Sequence, residues 1–128
     1  MNTEDPTAGH VEQGADAGGE EGVATFVDDL FTAAHSRGGR PGARAVLDTG
    51  DAKVVTFDFA AGDVLPEHAA RHPVIIQVLR GSVEFTVQNR ALVLEPGRLV
   101  HLTPMLRHAV RATEPATLTV TMLLPPRA

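Results

Sequence analysis

The sequence predicts an all-β protein, a barrel or sandwich of about eight short strands standing behind one α-helix and an acidic tail. Three observations carry this expectation. Beyond residue 50, run after run alternates apolar with polar residues at the strand period of two. Turn-forming residues punctuate the runs at short, even intervals. No segment of helical period and crossover length lies between the runs, so their pairing is expected to be antiparallel.

Size and composition set the frame. A chain of 128 residues, 43 % hydrophobic, suits one domain with one core. Cysteine is absent, which removes disulfides, thiolate metal sites and cysteine nucleophiles together and leaves nitrogen or oxygen as the donors for any metal. No run approaches the length of a membrane span, and the acidic start differs from the basic and apolar regions of a secretory signal. These features predict a soluble, cytoplasmic chain with no membrane partner. The formal charge is −5, with 11 basic and 16 acidic residues, yet residues 1–22 hold six of the acids and no lysine or arginine. The remainder is therefore close to neutral. There is no tryptophan or tyrosine and the arginines are scattered, so a nucleic-acid groove is not expected.

Taken in chain order, residues 1–22 read as a disordered acidic tail, because their glycine- and alanine-rich composition shows no apolar period that would offset the entropy of ordering. Residues 23–43 read as a helix and a linker. Val23, Phe26, Val27, Leu30, Phe31 and Ala34 fall at helical spacing, Asp28 and Asp29 take the other face, and Gly38-Gly39 stops the pattern after His35. Ser36 to Ala43, with its glycines and Pro41, connects onward. Residues 44–128 read as the β-domain. Val55, Phe57 and Phe59 alternate with polar residues, as do Val83, Phe85 and Val87, and Leu118, Val120 and Met122. Further strands are expected at Val74–Leu79, Ala91–Leu94, Arg98–Leu102 and His108–Thr113, with turns between them at Ala61-Gly62-Asp63, Arg80-Gly81, Gln88-Asn89-Arg90, Glu95-Pro96-Gly97 and Glu114-Pro115.

The chemistry concentrates in two histidine-bearing segments. One runs from Gly62 to His68 and on through His72 and Gln77 to Gly81; the other runs from Gly97 to His108. Imidazole both binds metals and moves protons near neutral pH, so histidines brought together inside a barrel are the leading candidates for a site. The two segments resemble the paired motifs of the cupins. Gly62, His68 and Gly81 stand where the first motif (a glycine, five residues, His-x-His, three or four residues, a glutamate, six residues and a glycine) places them, and Gly97 and His108 match the second. The resemblance covers roughly residues 51 to 124 and implies a double-stranded β-helix, the cupin jelly roll, with metal ligands drawn from these motifs.

This chain departs from the pattern where the ligands would be. Ala70 takes the place of the second histidine and Val74 that of the glutamate, while Thr103 and Met105 replace the proline and glycine of the second motif. His68 and His108 remain. His72 shares the strand parity of His68 and is the candidate third ligand; Gln77 has the opposite parity and needs a bulge to reach the cavity, and His101 and Met105 are further cavity-lining candidates. Three readings follow. In the first, His68, His72 and His108 hold a divalent metal such as Zn, Fe, Ni or Mn. In the second, the same barrel binds a small polar molecule without metal. In the third, it is a structural dimerisation module. A homodimer is expected in each case, because short strands leave sheet edges and apolar faces to cover. Other catalytic classes lack their residues: neither serine lies in a Gly-x-Ser-x-Gly turn, no phosphate-binding glycine loop follows a strand, and no pair of carboxylates is placed inward.

Overall fold

The computed structural model describes residues 21–31 and 35–125, so residues 1–20 of the predicted tail lie outside the described residues. Nine strands follow one another: β1 (Gly42–Asp48), β2 (Ala52–Phe59), β3 (Val64–His68), β4 (Val74–Arg80), β5 (Val83–Val87), β6 (Arg90–Leu94), β7 (Leu99–Leu102), β8 (His108–Ala112) and β9 (Ala116–Leu123). They form two sheets, one in the order β1-β2-β9-β4-β7 and one in the order β3-β8-β5-β6. Every pairing is antiparallel, as short connections require.

The strand period explains how the sheets face each other. Val74, Ile76 and Val78 of β4 are buried while Ile75, Gln77 and Leu79 turn outward, and β5 and β8 repeat the alternation with Val83, Phe85 and Val87 and with His108, Val110 and Ala112. Phe85, Leu118 and Val83 are fully excluded from solvent and fix the centre of the sandwich. Burying each such side chain contributes about 2 kcal/mol, which is why the inward register of these strands is not free to slip.

The outer face of the five-stranded sheet is polar where β2 and β9 pair. Asp58 stands opposite Thr117 and Thr56 opposite Thr119. The Thr117 hydroxyl donates to the Asp58 carboxylate at 3.0 Å and accepts from the Arg80 guanidinium at 3.0 Å. That guanidinium also lies over the Phe31 ring, 4.8 Å from its centroid, a cation–π contact that ties the N-terminal segment to the sheet.

The helix predicted over Val23–His35 is not formed: the described residues contain no helix, and those from 21 to 31 run as irregular backbone ending in a turn at Leu30-Phe31, with 32–34 outside the described residues. The reason is local. The Asp29 carboxylate accepts from the Phe31 N–H at 2.8 Å, an aspartate turn that competes with helical hydrogen bonding. Val23 and Phe26, which a helix would have turned toward the barrel, are 91 % and 86 % exposed. Strand β1 begins at Gly42, within the stretch read as linker; its Gly-Ala-Arg-Ala start carries little strand signal, and pairing with β2 supplies the order that propensity does not. No helix among the described residues is long and apolar enough to cross a membrane.

Candidate ligand-binding site

His68 and His108 meet because β3 carries a bulge. Leu65 pairs with Val110 and His68 with His108, so β3 uses one more residue than β8 over the same interval. Pro66, which has no N–H to give the ladder, lies within that interval. The extra residue resets the side-chain parity, and Leu65 and His68, three apart in sequence, both turn inward. The β2–β3 turn that launches this strand is fastened by Asp63, whose carboxylate accepts from the Ala60 N–H at 2.8 Å. A hydrogen bond from the Ser36 side chain, seconded by the backbone at Ala60 and Gly39, holds the Asp63 carboxyl below its ordinary value against the opposing effect of desolvation.

Both imidazoles are fixed in the same manner. The ring Nδ1 of His68 lies 2.9 Å from the carbonyl oxygen of Pro66, and that of His108 lies 2.9 Å from the carbonyl oxygen of Leu106. A carbonyl only accepts, so each Nδ1 is the protonated nitrogen, and in the neutral ring each Nε2 carries a lone pair. The ring centroids are 4.4 Å apart, and His108 is stacked on Phe85 at 5.6 Å. His68 is exposed, whereas His108 is only 4 % exposed. Desolvation draws the His108 pKa below its ordinary value, the neighbouring His68 adds to this, and the Leu106 carbonyl opposes it.

The two rings border a cavity of about 190 Å³ between the sheets. Phe57, Val74, Ile76, Leu118, Val120 and Met122 of the larger sheet form one wall. Leu65 and Val110 of the smaller sheet form the other, and Ala70 closes the end beyond β3. The cavity is therefore apolar apart from the two histidines, which border it from adjacent strands.

The remaining candidates lie elsewhere. His72 is half-buried in the bend between β3 and β4 and does not line the cavity, because β3 ends at His68 and the strand parity that would have aligned the two stops there. Gln77 is exposed on the outer face of β4, its parity unrelieved by a bulge before Val78. His101 is exposed on β7 opposite Ile75, an outward position. Met105 is 63 % exposed in the turn before β8, with its N–H donating to the Ala70 carbonyl at 2.7 Å. Its φ of +68° is the conformation that glycine at this motif position would take without strain. The bulge and the paired carbonyl anchors were not foreseen; a proline two residues before an inward histidine was the available signal.

A resident metal requires more donors than these. Two imidazole side chains line the cavity, Ala70 and Val74 line it as hydrocarbon, and no group of three or more His, Asp or Glu side chains among the described residues is arranged to hold an ion. The donor set does not fit the four-ligand centre that the motifs imply.

Two antiparallel sheets packed face to face around an apolar cavity define a small jelly-roll protein. The family profile for the Cupin domain matches residues 55–123, and the chain belongs to that family. Solved structures agree on the fold. An RmlC-like cupin from Desulfovibrio desulfuricans is 25 % identical, with a TM-score of 0.70 over 78 % of this chain and 97 % of that one. The structure of KdgF from Halomonas is 22 % identical, with a TM-score of 0.69 over 80 % of this chain and 96 % of that one. A conserved protein with a double-stranded β-helix domain from Klebsiella pneumoniae is 19 % identical, with a TM-score of 0.70 over 78 % and 90 % of the two chains. No curated protein matches the sequence.

Proposed function

We propose that this cupin binds a small, largely apolar molecule inside the barrel, anchored by His68 and His108 and without a resident metal. The observation that supports it is the lining, nine apolar side chains and two histidines around about 190 Å³. That volume lies below the usual range for drug-sized ligands, which points to a compact molecule of about one ring. The apolar wall supplies the affinity and the imidazoles supply orientation. We further propose that the chain works as a homodimer.

Thermal unfolding with benzene and toluene as probes tests this reading, together with elemental analysis of untagged protein. Either hydrocarbon should raise the unfolding temperature, since a probe bound only to the folded state adds its binding free energy to stability. Zn, Ni, Mn and Fe salts should leave that temperature unchanged, and the purified protein should carry far less than one equivalent of transition metal. A metal-linked rise that disappears in His68→Ala and His108→Ala would restore the metal reading and sink this one.

A further inference from the structure

Resting on that reading, we infer that the ligand is a small aromatic carrying adjacent hydroxyl donors, of which catechol is the simplest probe. The inference comes from the direction of the hydrogen bonds the site offers. Both Nδ1 atoms are committed as donors to the Pro66 and Leu106 carbonyls, so both Nε2 atoms are acceptors in the neutral rings. The polar part of the ligand must then donate twice. Rings whose centroids are 4.4 Å apart suit two donors on neighbouring atoms better than donors at opposite ends of a molecule.

Competing chemistries fit less well. A carboxylate is acceptor-only and would need a protonated imidazole, which the burial of His108 among hydrocarbon and the adjacent second imidazole both oppose. An ammonium donates, but no carboxylate lines the cavity to offset its desolvation. An aliphatic diol donates too, yet a phenolic hydroxyl is the more acidic donor and pairs better with an imidazole acceptor. Size points the same way. A cavity of about 150 Å³ lined by aliphatic side chains and Phe holds benzene, and the 190 Å³ here admits one ring with small substituents. His108 lies at depth on Phe85 and His68 at the exposed rim, so one hydroxyl would meet each.

Titration of the full chain under argon with catechol, phenol, 1,2-difluorobenzene and benzoate, followed by histidine ring NMR signals, decides the matter. The difluoro compound matches catechol closely in shape and donates nothing. Catechol should bind about tenfold tighter than phenol and about a hundredfold tighter than 1,2-difluorobenzene, a factor of about ten for each neutral hydrogen bond. His68→Phe should reduce the preference for catechol over phenol to near unity. Equal binding of catechol and its difluoro analogue overturns the donor assignment while leaving an apolar cavity in place. Benzoate binding tightest overturns it in favour of an anion site. Failure of all four probes, along with benzene, removes the cavity reading and this inference together.

Discussion

The two histidines differ more in setting than in chemistry. Both donate Nδ1–H to the carbonyl two residues earlier, but one is exposed and the other is buried against Phe85. Desolvation first, and His68 second, lower the His108 pKa from its ordinary value of 6.5. With the folded-state value depressed, the unfolded chain binds more protons across the interval, so this contribution to stability is fully present above about 6.5 and is lost as pH falls through the folded value. The urea midpoint should therefore hold steady above pH ~7 and decline as the pH falls below ~6.5. His108→Phe, which preserves the ring stack, should flatten that decline and leave the carboxylate-driven loss near pH 4. An unchanged decline in the variant would show that His108 is not its source. The same burial that moves this pKa keeps the ring neutral and its Nε2 available as an acceptor.

At the level of the elements, the clearest sequence signals are those with a steric cause. Gly81 follows β4 at φ +81°, and a Cβ there would land on the Pro115 carbonyl oxygen and crowd Ala116. Gly97 has φ +97° but open space around it. Gly81→Ala should thus cost roughly 3 kcal/mol, combining backbone strain with overpacking, and Gly97→Ala about 1 kcal/mol from strain alone. Urea unfolding of the two variants measures the difference, and equal costs would mean that the close approach at Pro115 relaxes freely. Both glycines were legible as motif positions, and the alternation in β2, β5 and β9 was legible as two faces of each strand. What escaped the sequence was set by neighbours. The bulge at Pro66-Glu67 depends on the pairing of β3 with β8, β1 on the edge of β2, and the loss of the predicted helix on an aspartate turn at Asp29 that periodicity does not register. His72 was placed by extending a strand parity past the residue where the strand ends.

Among the described residues, sheet edges and several large apolar side chains stand at the surface. The five-stranded sheet ends, among the described residues, at β1 and β7 and the four-stranded sheet at β3 and β6. Edges invite association unless shielded; bulges blunt β1 and β3, whereas β6 and β7 pair in unbroken register. Apolar side chains stand beside them: Leu99 on β7 is 58 % exposed and Val93 on β6 53 %. The N-terminal segment is the more telling feature, because it is fastened at Phe31 under Arg80 yet presents Val23 and Phe26 almost wholly to solvent. Packing Val23 and Phe26 on a second copy would add apolar burial to set against the entropy of ordering this segment. Light scattering at ~20 μM should give twice the 13.5 kDa chain mass. Val23→Glu combined with Phe26→Glu should shift the protein toward the monomer with an unchanged β-type circular dichroism spectrum, since neither side chain belongs to the barrel core. Leu99→Glu should have that effect instead if the β7 edge makes the contact. A monomeric mass for the unmodified chain at this concentration would reject pairing altogether, and the exposed segment would then need a partner of another kind.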